Sequence, residues 1–253
     1  MTVPDSSQQP FRFPVAARYA GMESSPLKDI FALAAREDVV SFAGGIPDPA
    51  LFALEDVTSC YDWVLSHQGH RALQYGVSEG ERELREQAAR RLSRDLPTEA
   101  SQIRVTSGSQ EGLFVIAQAL LEPGDVVLVE SPTYLAAVQA FSVHGARIIG
   151  VDTDDDGVIA EALEEAIRTH HPRMVYLIPT FQNPTGRTMP VARREAVAEV
   201  LRRTDVPLVE DDPYGALSFS GTTWAPIASL RGMGERTILL NPMSKLMSPG
   251  VRI

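Results

Sequence analysis

Short apolar segments alternate with amphipathic segments along most of the chain. Apolar runs of strand length fall at Ile103–Thr106, Val126–Glu130, Arg147–Val151, Met174–Ile178, Pro207–Glu210 and Thr237–Leu240. Helical patterns lie between several of them, at Gln110–Leu121, Tyr134–His144, Ile159–Arg168 and Val191–Arg203. Strands that alternate with helices favour a mainly parallel sheet with helices on both faces. We therefore predict a three-layer α/β fold.

The N-terminal part of the chain has a weaker pattern. Residues 1–40 predict an arm with one short helix, Lys28–Arg36. A second helical pattern covers Leu54–Ser66. Ser78 and Glu81 have the spacing of a capping box, which predicts that a charged helix begins there.

Composition and charge exclude several classes of function. The chain has 253 residues, of which 44% are hydrophobic and 22% charged, as in an ordinary globular protein. Its net charge of -10 disfavours nucleic-acid binding, because such proteins usually carry a basic face. The single cysteine, Cys60, cannot form an internal disulfide. No apolar run reaches the ~18 residues that span a bilayer. We expect a cytoplasmic protein that binds neither nucleic acid nor membrane.

Polar groups follow the predicted strands, where sheets of this kind bind ligands. Ser107-Gly108-Ser109-Gln110-Glu111-Gly112 offers hydroxyls and backbone N–H groups at a helix start, which is either an anion site or a plain N-cap. Tyr134 follows the next strand and either stacks on a flat ligand ring or simply packs. Asn183, in Asn-Pro-Thr-Gly, presents an amide at the same edge and also belongs to a turn sequence.

Carboxylates and a lysine follow the last two strands. Glu210-Asp211-Asp212 would repel one another unless a cationic or protonated group binds there. A metal is one alternative, but no histidine lies nearby and we predict no metal site. Lys245 lies in an apolar run that would lower its pKa and make its amine a nucleophile towards aldehydes, although such lysines are more often surface side chains. Arg252 suits a phosphate, so that the pair suggests pyridoxal 5'-phosphate (PLP).

Six motifs occur in order from Ser41 to Ile253. They are Ser-Phe-Ala-Gly-Gly-Ile-Pro-Asp, Leu-Gln-Tyr-Gly, Ser-Gly-Ser-Gln, Asn-Pro-Thr-Gly, Glu-Asp-Asp-Pro-Tyr and Ser-Lys-x-x-x-Pro-Gly-x-Arg-Ile. Together they resemble the class I/II aminotransferases, which are PLP enzymes of fold type I. The nearest resemblance is to the 2-aminoadipate and kynurenine aminotransferases and to the aminotransferase-like domains of MocR regulators.

The resemblance implies three catalytic residues and two further contacts to the cofactor ring. Lys245 forms an aldimine with PLP and later moves the α-proton of the substrate. Asp211 keeps the pyridine nitrogen protonated so that the ring accepts electrons. Asn183 and Tyr214 hydrogen-bond the phenolic oxygen of the ring, and Asn183 also contacts the substrate. Tyr134 stacks on the ring.

The resemblance also implies how the phosphate, the substrate and a second subunit are bound. Ser109, Gln110 and Arg252 bind the phosphate. Tyr75 reaches the phosphate of the neighbouring subunit, which implies a homodimer with shared active sites. The backbone of Gly45 approaches the amino acid and 2-oxo acid substrates.

The chain departs from the family pattern in two places. Pro242 stands three residues before the lysine, where the family commonly has a serine or threonine that binds phosphate. The chain ends at Ile253, whereas the family continues into a small domain that carries the arginine for the substrate carboxylate. We expect residues 1–45 to be an N-terminal arm with the substrate loop. Residues 46–253 would be a PLP-binding large domain that is incomplete at its C-terminal end.

The predicted activity is transfer of an amino group from an α-amino acid to a 2-oxo acid through PLP. The same site residues also serve PLP-dependent decarboxylases and lyases. A non-catalytic PLP sensor domain of a MocR-type regulator is a third interpretation, and an inactive fragment is a fourth.

Overall fold

In the computed structural model the placement of most of the chain is described, namely residues 13–19, 33, 36, 38–40 and 45–253. These form two compact units, Met1–Ile46 and Pro47–Ile253. The predicted helix at Lys28–Arg36, apart from its residues 33 and 36, and the first four residues of the first motif lie outside the described residues.

The larger unit is built on a parallel sheet. Its strands, numbered along the chain, are β1 (Val126–Glu130), β2 (Arg147–Val151), β3 (Thr153–Asp154), β4 (Gly157–Val158), β5 (Met174–Leu177), β6 (Leu208–Asp211) and β7 (Thr237–Leu240). Five of them form one sheet in the order β2-β1-β5-β6-β7, with every neighbouring pair parallel. β3 and β4 form a separate antiparallel pair. All five parallel strands therefore end at one edge of the sheet, which is called the carboxyl edge below.

Helices cover both faces of this sheet. Those within residues 45–253 are α1 (Leu54–Ala72), α2 (Arg82–Leu92), α3 (Ser109–Leu120), α4 (Leu135–Val143), α5 (Ala160–His170) and α6 (Val191–Arg202). Side chains of α3 and α4 form one apolar core with alternate strand residues such as Val129 and Val209. Side chains of α5 and α6 form the other core, with Leu128 and Leu208 from the opposite face. The predicted three-layer α/β architecture is confirmed.

One predicted strand is wrong. Ile103–Thr106 is not a strand, and none of the strands within residues 45–253 pairs with it. Its backbone is held instead by turns that precede it, because the N–H of Val105 donates to the carbonyl of Glu79 at 2.9 Å and that of Ile103 to Ala100 at 3.3 Å. An apolar β-branched run becomes a strand only where a neighbour supplies the ladder of hydrogen bonds.

The predicted capping box is also wrong. Helix α2 begins at Arg82, and the Glu81 side chain makes no cap hydrogen bond. Gly80 intervenes with φ 95°, which turns the chain between Ser78 and the helix. The carboxylate of Glu81 instead accepts a hydrogen bond from Arg71 at 2.6 Å.

The first helix of the larger unit extends beyond the predicted Leu54–Ser66. Helix α1 continues to Ala72, with a kink at Gln68 where φ is -133° and ψ is 17°. Within the described residues, none of the helices is both long and apolar enough to cross a membrane.

Candidate functional site

The carboxyl edge of the sheet gathers most of the predicted site residues around the end of β6. Asp211 is the last residue of that strand and only 3% exposed. Its Oδ2 accepts a hydrogen bond of 2.9 Å from the hydroxyl of Tyr176, which is fully buried on β5. Burial, and less strongly the charge of Asp212, raise the pKa of Asp211 to about 7 against the opposing effects of the Tyr176 hydrogen bond and the nearby Ser109 hydroxyl.

Several buried polar atoms at this edge have no hydrogen-bond partner among the described residues. Asp211 Oδ1, Ser109 Oγ and Thr133 Oγ1 are buried, and no described residue lies within hydrogen-bonding geometry of them. A buried polar atom without a partner costs roughly 1 to 3 kcal/mol. Since these three lie in loops that follow strand ends or begin helices at one edge, the arrangement is typical of a ligand site.

The predicted cluster of three carboxylates is wrong, because consecutive residues of a strand point to opposite faces. Glu210 lies on the α5–α6 face and is 1% exposed. Its two oxygens accept hydrogen bonds from the backbone N–H groups of Ile227 and Ala228, each at 2.9 Å. The guanidinium of Arg194 lies 3.9 Å away. Glu210 is therefore a structural residue outside the site.

Two further predicted residues lie near Asp211, and a third contacts one of them. Burial raises the pKa of Tyr134 and of Tyr214, and the charge of Asp211 raises both, which places the two phenols beside that carboxylate. A side-chain hydrogen bond from Asn183 lowers the pKa of Tyr214. Asn183, Tyr214 and Tyr134 thus share one environment at the carboxyl edge.

Sequence reasoning missed a residue that joins two of these loops. Gln182 is buried, and its Nε2 donates to the carbonyl of Pro132 at 2.9 Å. Its Oε1 accepts hydrogen bonds from the backbone N–H and the hydroxyl of Thr185. Gln182 therefore ties the loop before Tyr134 to the loop that carries Asn183. The one signal for this residue in the sequence is its place directly before Asn-Pro-Thr-Gly.

An anion cradle forms at the start of α3. A Cβ on Gly108 would lie 3.8 Å from Arg252 Nη2 and 3.8 Å from Ser244 Oγ, so both side chains flank the glycine at the helix N-terminus. Arg252 Nη2 also donates to the carbonyl of Ser107 at 2.6 Å. Hydroxyl, guanidinium and helix N-terminus together favour a phosphate-like anion. Ser244, beside the lysine, was missed by sequence reasoning.

The other two predicted phosphate ligands lie in the first turn of the same helix. Ser109 and Gln110 are its first residues. Gln110 Nε2 donates to the carbonyl of Ala136 at 3.3 Å. The carboxylate of Glu111 accepts a hydrogen bond from the backbone N–H of Ser107.

The predicted nucleophile lies in the loop after β7. Burial lowers the pKa of Lys245. The loop is tied to β6, because Asn241 Nδ2 donates to the carbonyl of Asp212 at 3.0 Å. Pro242 is buried in this loop and has no N–H to offer a phosphate.

Tyr75 and Gly45 are the two remaining predicted residues. The side chain of Tyr75 is 99% exposed in the segment after α1, and no described contact joins it to the carboxyl-edge loops. Gly45 lies in the smaller unit and has φ 52°, a conformation that suits glycine.

The chain is similar to known proteins over most of its length. A family model described as aminotransferase class I and II matches residues 46–253. The chain is 39% identical over 240 residues to aromatic-amino-acid aminotransferase 1 of Thermococcus litoralis, a match that covers 92% of this chain and 57% of the relative.

Two solved structures are similar in fold. The structure of Pyrococcus horikoshii kynurenine aminotransferase with PMP gives a TM-score of 0.86 at 36% identity and covers 94% of this chain and 60% of that one. The α-aminoadipate aminotransferase of Thermus thermophilus, complexed with N-(5'-phosphopyridoxyl)-L-leucine, gives 0.85 at 32% identity, with 94% and 59% covered. The chain thus spans less than two thirds of the length of these relatives. The predicted fold type is confirmed.

Proposed function

The chain belongs to the aminotransferase class I and II family, whose members depend on PLP, and from that premise we propose what its carboxyl edge does. The edge binds PLP, and the whole protein moves an amino group from an α-amino acid to a 2-oxo acid. The observation that carries the proposal is the buried Asp211, which has one oxygen anchored by Tyr176 and the other without a described partner.

The residues at the edge fit this cofactor. PLP carries a ring nitrogen that can be protonated, a phosphate and an aldehyde. A cation beside Asp211 would return its raised pKa towards that of an ordinary carboxyl and give its Oδ1 a partner. The cradle formed by Gly108, Ser244 and Arg252 suits the phosphate. The amine of Lys245 suits the aldehyde, because burial lowers its pKa.

We assign the holding residues accordingly. Asp211 would hold the ring nitrogen, and Tyr214 with Asn183 would hold the phenolic oxygen, which agrees with their mutual hydrogen bond. Tyr134 would stack on the ring from its place beside Asp211. The phosphate would take Ser109, Gln110 and Arg252, as the motifs predict, together with Ser244.

When bound, PLP supplies an electron sink for the pair released from the substrate Cα–H bond. The chain supplies proton transfer and orientation. A lysine with a lowered pKa is neutral more often near pH 7 than an exposed one, so Nζ of Lys245 can take up and return the α-proton. The Asp211 carboxylate would stabilise positive charge at the ring nitrogen. Gln182 holds the loops of Tyr134 and Asn183 at a fixed separation.

The partners and substrates form a further part of the proposal. The exposed Tyr75 would complete the phosphate site of a second copy, in a homodimer. Gly45 would line the substrate side. The names of similar proteins make aromatic amino acids, 2-aminoadipate and kynurenine the first substrates to test. Pro242 removes one hydroxyl from the family pattern of phosphate ligands, and Ser244 would compensate in part.

The test is spectral titration of the 253-residue chain with PLP, followed by borohydride reduction and peptide mapping. The sequence contains only two lysines, Lys28 and Lys245. We expect the reduced label on Lys245, and we expect Lys28→Arg to label normally whereas Lys245→Arg loses the label. A label that moves to Lys28 or to the N-terminal amine, or no absorption band at all, would contradict the proposal.

A second measurement separates amino transfer from decarboxylation and elimination at the same site. Aminotransferases convert the bound cofactor to its pyridoxamine form when an amino acid is added without a 2-oxo acid. We expect that conversion, and its reversal by a 2-oxo acid, in the whole protein. Release of carbon dioxide or ammonia with the cofactor unchanged would favour a decarboxylase or lyase.

A further inference from the structure

One buried tyrosine contacts the charged centre of the site without belonging to any of the motifs. Tyr176 lies in the middle of β5, paired with Val209 of β6, and Asp211 lies two residues further on the same face. The Tyr176 hydroxyl donates to Asp211 Oδ2 at 2.9 Å, and both residues are buried. A hydroxyl in a sheet interior needs a partner, and here the partner is the site carboxylate.

The ring of Tyr176 is fixed by packing. Phe141 of α4 meets it edge to face, with ring centroids 5.6 Å apart and an interplanar angle of 72°. Strand β5 and this ring contact both hold the side chain of Tyr176 in place. Tyr176 can therefore act as a rigid donor.

The hydrogen bond makes the two oxygens of Asp211 unequal. Oδ2 is anchored, whereas Oδ1 is buried and has no partner among the described residues. We propose that Tyr176 is the positioning residue of the cofactor site, which holds Asp211 by Oδ2 so that Oδ1 faces the ring nitrogen of PLP. The second half of this statement rests on the proposed function, while the anchoring of Asp211 does not.

The other groups that face Asp211 do not replace this donor. Asp212 repels it, and Tyr134 and Tyr214 are phenols whose own pKa values it raises. The Ser109 hydroxyl, from α3, lies near enough to lower the pKa of Asp211, but Ser109 Oγ makes no hydrogen bond of acceptable geometry with any described residue. Among the described residues, Tyr176 is the one whose side chain donates a well-formed hydrogen bond to the Asp211 carboxylate.

The test compares Tyr176→Phe with the unsubstituted chain, both free of cofactor. The variant keeps the ring and removes only the donor. Carbon-13 NMR of the Asp211 carboxyl should show its titration midpoint rise by about one pH unit or more, because a hydrogen bond to a charged group favours the ionised form. In a PLP titration, the affinity should fall roughly tenfold, and the pH dependence of the bound cofactor's absorbance should shift.

Phe141→Leu is the matched control, because it loosens the same ring contact but leaves the hydroxyl. It should lower thermal stability and move the Asp211 midpoint much less than Tyr176→Phe does, because the donor is still present. An unchanged midpoint in Tyr176→Phe would overturn the proposal. Should that variant not fold, the Tyr176 hydroxyl proton of the unsubstituted chain still decides, since its resonance must follow the Asp211 titration. Failure of the unsubstituted chain to bind PLP would refute the proposed function and the role of Oδ1, while the cofactor-free NMR would still decide the anchoring.

Discussion

Glu210 and Asp211 are neighbours on β6, carry the same charged group and are almost equally buried, at 1% and 3% exposed. Glu210 points to the α5–α6 face, where two backbone N–H groups and Arg194 satisfy both of its oxygens. Asp211 points to the α3–α4 face, where Tyr176 satisfies one oxygen and the other has no described partner.

The difference teaches that burial alone does not identify a functional carboxylate. A buried charge whose oxygens are all satisfied by the fold stabilises the fold, whereas a buried oxygen without a partner has a bonding position left for a ligand. Because consecutive side chains of a β-strand point to opposite faces, the adjacent residues Glu210 and Asp211 provide one carboxylate of each kind.

The largest expected effect separates these two carboxylates by function. Asp211→Asn should lower kcat of the whole protein by about a thousandfold, because the carboxylate proposed to hold the ring nitrogen loses its charge, while its stability should hold. Glu210→Gln should keep kcat and lower the free energy of unfolding by roughly 1 to 3 kcal/mol, because one backbone N–H loses its acceptor.

Steady-state kinetics and urea unfolding of both variants measure the contrast. Equal losses of activity in the two variants, at equal stability, would mean that the two carboxylates do not have separate roles.

The next effect concerns the cation beside Glu210. Arg194 donates to the carbonyls of Met189 and Pro179, each at 2.9 Å, and to the hydroxyl of Thr180 at 2.7 Å. Arg194→Met should therefore cost about 3 to 5 kcal/mol in urea unfolding, because it leaves a buried carboxylate uncompensated. Arg203→Met, at the exposed residue directly after α6, is the control and should cost less than about 1 kcal/mol. A small loss for Arg194→Met would show that the buried cation is dispensable.

A third carboxylate sharpens the comparison through pH. Glu130 ends β1 and is buried on the α5–α6 face, where it accepts a hydrogen bond from the N–H of Ile178 at 2.8 Å. Burial raises its pKa from 4.5 to about 8. The folded state thus holds a proton that the unfolded chain releases, so its contribution to stability is complete below about pH 4.5 and is lost as pH rises towards 8.

The free energy of unfolding should therefore fall between pH 5 and 8 by up to about 1.4 kcal/mol per pH unit from this group. Glu130→Gln keeps the acceptor and cannot ionise, so its profile should be flatter by that slope. Urea unfolding at several pH values measures the difference. Parallel profiles for both proteins would place the ionisation of Glu130 outside this range.

The smallest expected effect tests the anion cradle. Gly108 has φ 78° and ψ 172°, so Gly108→Ala should cost about 1 to 3 kcal/mol of stability and place a methyl group beside Arg252 and Ser244. Gly124→Ala is the control, since Gly124 also has positive φ, at 96°, and open space around its Cβ. Both variants should be less stable, but only Gly108→Ala should bind inorganic phosphate more weakly in calorimetry. Equal phosphate affinity would refute the cradle.

Much of the fold could be predicted because apolar runs in a parallel sheet are buried on both faces. β1, β2 and β7 have the predicted bounds, and β5 and β6 differ by one residue at their ends. Ile103–Thr106 failed because a strand depends on a partner that no local pattern reveals. The capping box failed because Gly80 turns the chain before the helix and because Arg71, ten residues earlier, engages Glu81.

The candidate site was predictable where a polar residue ends a strand or lies in the loop that follows it. Asp211, Asn183 and Tyr134 lie at the carboxyl edge as the motifs indicate. Tyr176 and Gln182 could not be found in this way, because their importance depends on the distances to Asp211 and Pro132 across neighbouring loops and strands. That Glu210 and Asp211 point to opposite faces of the sheet could have been predicted from the alternation of side chains along a strand.

The hydrogen bond between Arg252 and Ser107 joins residues 145 positions apart in the chain. Closing a loop of that length costs entropy that only a nearly complete fold can offset. The cradle is therefore among the last features to assemble, and partly folded chains lack it. A ligand that binds only the finished state raises the free energy of unfolding in proportion to the logarithm of its concentration. The supply of cofactor would thus govern how much newly made chain escapes proteolysis.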